Sequence, residues 1–335
     1  MKRLNKRIKG LLIALTVLAS CVAVFVGLCL SSGIPKVDPV THYDGDNPYI
    51  VFDEEAQISA HRAGGALAPE NTMMAFETCL NATDYRVDIL EFDLHLSKDG
   101  VLFLLHDDTL DRTSDARERF GGKNIKASDK TFSEIKSLNM GENYCAPDGS
   151  YPYRGLRGDE IPANLRAVSL DEILTMLRPR RDLDFIIEIK DGKEVGKKAA
   201  DLLYRKLCDY DILERTVVGT FHGEVSRYLD EKYPDIIRSA GIGEVLEFYF
   251  CSIFNVDLDK KDLPYEVLQI PYDAFVINLG KKAIVDYAHH YGLAVQYWTI
   301  NDPDDIAYLV SIGADAVITD DPAAAYRVMR GNASD

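Results

Sequence analysis

Two carboxylates stand two residues apart in the otherwise apolar run Leu90-Glu91-Phe92-Asp93-Leu94. On a strand, residues i and i+2 share a face. Glu91 and Asp93 therefore project together, while Leu90, Phe92 and Leu94 point into apolar packing. Like charges held this way repel unless a cation or other partner neutralises them. A third acid, Glu188, lies in Ile186-Ile187-Glu188-Ile189-Lys190, where an uncompensated charge is equally costly. Three strand-borne carboxylates are the hard oxygen ligands that Mg²⁺ or Ca²⁺ takes. Each acid alone has a simpler reading: Glu188 pairs with Lys190 or another base, and the other two face solvent. All three together favour one divalent cation.

Two histidines fall near these acids. The run 88–96 and the run 101–105 are separated only by Ser97-Lys98-Asp99-Gly100, too few residues for a crossover, so they form an antiparallel hairpin. A turn centred on Lys98 and Asp99 sets His106 opposite Glu91. His61 ends the strand Gln57–Ala60 and is followed by Arg62. An imidazole titrates near neutral pH, so His61 and His106 can serve as general base and general acid. Arg62 and Lys190 could hold a phosphoryl group, the alternative for each being a nearby carboxylate. His95 shares the parity of Glu91 and Asp93 but lies near the hairpin tip, away from the cation. His222, His289 and His290 have no constellation and read as structural or exposed. Asn71 reads as a helix cap, and Asp320 as a strand end.

The elements that must position these groups alternate. Strands are expected at 57–60, 88–96, 101–105, 184–189, 216–220, 236–239, 274–277, 294–299 and 316–319. Helices are expected at 71–80, 170–177, 194–208, 224–233, 244–254, 281–291, 303–311 and 322–329. Repeated strand-then-helix units imply parallel strands with crossover helices, and about eight of them close into a TIM-type (β/α)8 barrel. An open doubly wound sheet would be favoured by a Gly-rich nucleotide loop, and the chain has none. The segment 107–169, after the second-strand hairpin, is a long insertion. Loops of that length are usually functional, which places it over or beside the barrel mouth.

The formal net charge of −16 argues against a nucleic-acid binder, which needs a basic face. Five of the 38 basic residues lie in the first nine positions, so the rest of the chain is near −21. Behind that basic tip, Leu11 to Leu30 is an apolar run of the length that spans a bilayer core. A cleaved signal peptide has a shorter apolar region. A lipoprotein signal ending at Cys21 would turn polar at once, whereas this run continues nine residues further. The expected organisation is a cytoplasmic tip at 1–9, a transmembrane signal-anchor at 10–31, a Pro-, Gly- and Asp-rich tether at 32–50, and a barrel at 51–331. The barrel would then be extracellular, on a single-pass protein of the cell membrane. The six cysteines show no metal-binding spacing.

Taken in order, the motifs resemble the glycerophosphodiester phosphodiesterase family. They are His61-Arg62, Pro69-Glu70-Asn71-Thr72, Glu91-Phe92-Asp93, Lys98-Asp99-Gly100, His106-Asp107 with Arg112-Thr113, Glu188-Ile189-Lys190, Trp298-Thr299-Ile300-Asn301 and Thr319-Asp320-Asp321-Pro322. The resemblance runs from about 57 to 323. It implies hydrolysis of glycerophosphodiesters to glycerol 3-phosphate and an alcohol, with a divalent metal on Glu91, Asp93 and Glu188. It also implies His61 as base, His106 as acid, and Arg62 and Lys190 on the substrate. In similar enzymes the metal polarises the phosphoryl oxygens and can activate the glycerol hydroxyl, by way of a cyclic phosphate. One departure is Ala63, where the commoner pattern has Gly directly after Arg. A phosphoinositide phospholipase C-like barrel shares the two-histidine logic, but the Glu-x-Asp plus Glu-x-Lys set and the Thr-Asp-x-Pro ending favour the first reading. Other readings are phospholipase D-like action on lysophospholipids or envelope poly-glycerophosphate, and a non-catalytic barrel that binds phosphodiesters.

Overall fold

The computed structural model describes residues 2–51, 55–274 and 277–331. The strands are β1 (Gln57–Ala60), β2 (Ile89–Leu96), β3 (Leu102–Leu104), β4 (Asp184–Ile189), β5 (Thr216–Gly219), β6 (Val267–Pro271), β7 (Asp273–Ala274), β8 (Ile277–Asn278), β9 (Ala294–Trp298) and β10 (Ala316–Thr319). Seven lie side by side in the order β5-β4-β2-β1-β10-β9-β6, every pair parallel. The segment 236–239 takes the eighth place. Arg238 bridges to Val218 of β5 and Ser239 to Val267 of β6, both in parallel, which closes the ring.

The expected barrel strand at 274–277 is corrected. That stretch belongs to the small antiparallel hairpin of β7 and β8, with residues 275 and 276 outside the described residues. The barrel strand is β6, which ends at Pro271. That residue faces Trp298 at the strand end, where a missing N–H is tolerated.

Parallel strands covered by helices are apolar on both faces. Outward residues such as Leu90, Phe92, Leu94, Ile187 and Val218 pack under the helices. Ile89, Ile186, Val217, Val267, Ala294 and Ala316 fill the barrel interior, together with Tyr49 from the preceding segment. Tyr49 is buried, and beside it the Asn47 side-chain amide donates to the carbonyls of Glu266 (2.8 Å) and Gly292 (2.9 Å). The end of the 32–50 segment thus forms the barrel floor, at the N-terminal ends of the strands.

The insertion is a small subdomain beside β3. Two short helices, Ala116–Phe120 and Phe132–Lys136, enclose a separate core of Leu110, Ile135, Leu138 and Met140, on which Phe103 and Leu105 also pack. The N-terminal segment forms one helix, Lys2–Ser31. Among the described residues no helix is long and apolar enough to cross a membrane, and several side chains of the expected 10–31 span lie outside them.

Candidate active site

Strand register gathers the site at the C-terminal ends of the strands. Ala60 faces Leu90 on one side and Thr319 on the other, so His61 leaves β1 between Glu91 and Asp320. Asp93 faces Glu188, and Glu188 faces Gly219. One oxygen each from Glu91, Asp93 and Glu188 lies within 4.8 Å of the others. Glu91 and Asp93 are 5% and 0% exposed, so the assumption of solvent-facing acids fails for both.

The electrostatics fit a divalent cation. Burial, with the charge of Asp93 added, pushes the Glu91 carboxyl well above the usual range. Burial also raises Glu188, against the opposing pull of Lys190. Lys190 Nζ lies 2.9 Å from Glu188 Oε1 and 3.6 Å from Asp93 Oδ1. Those are ion-pair distances, and both oxygens are buried. The pairing of Glu188 with Lys190 is therefore present. It leaves two cations, Lys190 and Arg62, beside three acids whose oxygens lie within 4.8 Å of one another.

The two histidines flank this cluster, each oriented through Nδ1. His61 Nδ1 meets Asp320 Oδ1 at 2.7 Å, and Asp320 is itself held by the Asn301 amide at 2.8 Å. His106 Nδ1 meets Asp107 Oδ1 at 2.8 Å. Burial disfavours both imidazolium ions. At His61 the charges of Glu91 and Asp320 outweigh it and raise the pKa; at His106 burial prevails over Asp93 and Asp107 and lowers it. In both, Nε2 is the nitrogen left for chemistry.

The hairpin places His106 differently from expectation. Leu94 faces Leu104 and His95 faces Phe103, one residue out of the expected register. The Ser97 N–H donates to the Val101 carbonyl (2.9 Å), and Gly100 takes φ +83. The turn therefore has three residues with glycine in the left-handed position. His106 lies just beyond the ladder and reaches the acids because the chain bends away there, not by facing Glu91.

Arg62 has φ 51, and its backbone N–H donates to Glu91 Oε2 at 2.6 Å. Its Nη1 donates to Glu70 at 3.0 Å. Ala63 follows at φ 61, so the residue that replaces the commoner glycine occupies a left-handed position that glycine favours. Asn71 is not the helix cap. Thr72 caps Met73–Leu80, while buried Asn71 donates to Asp93 Oδ2 at 2.9 Å. Motif order marks Glu70, Asn71, Asp107, Arg112, Asn301 and Asp320, but only the fold discloses that they hold the reacting groups. His95 turns away to Asp191 (3.0 Å), and His289 pairs with Asp315 (2.8 Å). His222 meets the Lys190 carbonyl at 3.0 Å.

A cavity of about 110 Å³ opens over the cluster, lined by His61, Arg62, Glu91, His106, Glu188 and Trp298 among others. Gly219 keeps its floor open: a Cβ there would stand 3.2 Å from Ser239 Oγ and 3.4 Å from Gln269 Oε1.

Residues 61–324 match the model of the glycerophosphoryl diester phosphodiesterase family. The chain is 26% identical over 275 residues to a glycerophosphodiester phosphodiesterase of Caldanaerobacter subterraneus, spanning 82% of this chain and 97% of that protein. It is 26% identical over 291 residues to a human lysophospholipase D, spanning 80% and 83%. Among solved structures, an Oleispira antarctica phosphodiesterase in complex with the product sn-glycerol-3-phosphate superposes with TM-score 0.59 at 21% identity, covering 82% of this chain and 96% of that one. A glycerophosphoryl diester phosphodiesterase domain from Mycobacterium tuberculosis superposes with TM-score 0.64 at 20% identity, covering 82% and 99%. The match spans most of the chain and includes every acid and histidine of the cavity, and this protein belongs to the glycerophosphoryl diester phosphodiesterase family.

Proposed function

We propose that the chain hydrolyses glycerophosphodiesters to glycerol 3-phosphate and an alcohol at this cavity. The observation that carries the reading is the three-carboxylate cluster flanked by two histidines, each held through Nδ1 by its own carboxylate. Glu91, Asp93 and Glu188 would hold one divalent cation, Mg²⁺ or Ca²⁺, which when bound supplies positive charge against the phosphoryl oxygens.

The remaining work falls to the chain. Arg62 and Lys190 face the phosphoryl group and stabilise the charge that builds on it. His61 Nε2 takes the proton of the attacking hydroxyl as its oxygen bonds to phosphorus. His106 Nε2 gives a proton to the leaving alcohol as the other P–O bond breaks, which leaves the cyclic ester formed by the glycerol hydroxyl. Water then opens that ring, giving its proton to His106 while His61 returns one to the glycerol oxygen, and glycerol 3-phosphate results. We give His106 the acid role because it is the more open of the two, 32% exposed against 14%. The higher pKa of His61 comes from the charge of Glu91 and Asp320, and a cation on Glu91 would offset the first of these.

Glycerol 3-phosphate release from glycerophosphocholine by the full chain should disappear on exhaustive chelation and return with Mg²⁺ or Ca²⁺. Unchanged turnover in EDTA would falsify the cation assignment. Lysophospholipids are a second substrate class, favoured by the human lysophospholipase D relative and by an apolar N-terminal helix. We further infer that residues 10–31 anchor the protein in the cell membrane, with 1–9 cytoplasmic and the barrel outside. The support is the uncharged run Leu11–Leu30 behind a basic tip.

A further inference from the structure

One sector of the barrel carries an apolar face that the chemistry does not use. The helix Ile242–Phe254 follows the 236–239 strand and buries Phe248, Tyr249 and Ile253. Its opposite side exposes Ile242 (57%), Leu246 (46%), Phe250 (45%) and Phe254 (62%). A spacing of four makes these one continuous row along the helix. The charge beside the row, Glu247, is paired with Lys261. One loop earlier round the ring, Phe221 lines the cavity rim, is 48% exposed, and stands edge-on to Trp298 at 6.0 Å. An exposed apolar row of this kind marks an interaction site.

The path of the 32–50 segment identifies what covers it. Ser32, directly after the N-terminal helix, accepts a hydrogen bond of 2.6 Å from Lys281 Nζ. Lys281 begins the helix Lys282–His290, which follows β6 and so starts on the mouth side. Further along, Pro35 to Asp38 line a cleft with Asn255, Asp257, His290 and Tyr291, at the far ends of the two helices. Asn47 then reaches Glu266 and Gly292 on the floor. The segment therefore descends the outside of the barrel from mouth to floor. The apolar helix 2–31 departs from the mouth side, in the sector that carries the exposed row.

We propose that Phe221 and the row Ile242, Leu246, Phe250 and Phe254 form a lipid-contact surface that seats this sector, cavity rim included, on the bilayer entered by the N-terminal helix. The proposal rests on the anchor reading above. A chain of net charge −16 gains nothing from anionic headgroups, so apolar insertion into zwitterionic lipid is the attraction. A diester with an acyl tail would then meet the cavity from the membrane plane.

The test uses the full chain in phosphatidylcholine nanodiscs with and without brominated acyl chains. Phe250→Trp is compared with Val328→Trp, an exposed site on the helix Pro322–Arg330, three strands round the ring. The signal of the native protein, whose one tryptophan is Trp298, is subtracted. Brominated lipid should quench the added emission of Phe250→Trp at least twofold and leave that of Val328→Trp unchanged. A chain held in the discs with no quenching of Phe250→Trp overturns the lipid contact and leaves the anchor intact. A chain that does not enter the discs overturns both. Emission that changes with protein concentration but not with bromination assigns the face to a second copy and overturns the proposal.

Discussion

Asp107 shows how individual residues hold the chemistry in place. It accepts from Arg112 through both oxygens while meeting His106 Nδ1, and Arg112 also grips Glu70, which in turn holds Arg62. Burial raises the Asp107 carboxyl, but the hydrogen bonds from Arg112 and His106 outweigh it and bring it down to about 2. A depressed carboxylate stabilises the fold above its unfolded pKa of about 3.9 and loses that contribution as pH falls through the folded value. With 28% of the side chain exposed, solvent screening reduces the contribution to about 1 kcal/mol. Asp107→Asn should therefore melt below the native chain at pH 6, and the gap in Tm should narrow between pH 4 and pH 2. A gap independent of pH would refute the ion-pair account. His106→Ala should lower glycerophosphocholine turnover about 10²-fold or more, the usual scale of general acid catalysis. A p-nitrophenyl diester, whose leaving group needs no proton, should lose much less; equal losses on both substrates would remove His106 from the acid role.

Elements set the precision of the site. Asp93 and Glu188 share a register position on β2 and β4, so their separation follows from the ladder rather than from side-chain choice. Backbone hydrogen bonds hold neighbouring strands at a fixed spacing, and the carboxylates inherit it. The floor is built by a different element, the segment that ends in Tyr49, whose ring enters the barrel among Ile89, Ile186 and Val267. Removing a buried aromatic side chain costs about 3–5 kcal/mol. Tyr49→Ala should show a loss of about that size in urea unfolding of the barrel. Because the ring lies at the opposite end from the cavity, turnover per folded molecule should stay near native. Stability unchanged by Tyr49→Ala would show that the segment is only a connection.

For the whole molecule, the charge is unevenly spread along the chain. Five basic residues cluster before the apolar run, and the acidic excess lies beyond it. If 10–31 is an anchor, the full chain made in cells should pellet with membranes, resist extraction by alkaline carbonate and dissolve in detergent. Release by carbonate would remove the anchor and reduce that helix to a peripheral feature.

Much of the chemistry was legible in residue order. Period-two alternation placed Glu91 and Asp93 on one face, and strand-then-helix spacing implied parallel strands with crossover helices, because both patterns are local. The family motifs marked His61, His106, Arg62, Glu188 and Lys190. Local patterns failed where a tertiary contact overrode them. The strand expected at 274–277 belongs to a small hairpin, a three-residue turn moved His106 out of register with Glu91, and Asn71 left the helix start to hold Asp93. The partners of the two histidines could not be read along the chain. Asp320 is 259 positions from His61 and reaches it only because closing the barrel sets β10 beside β1. Residue types and local spacing determined which groups could react. Ring closure and register decided which of them meet and how deeply they are buried. Those depend on contacts between residues far apart in sequence, whose geometry exists only once the chain has packed.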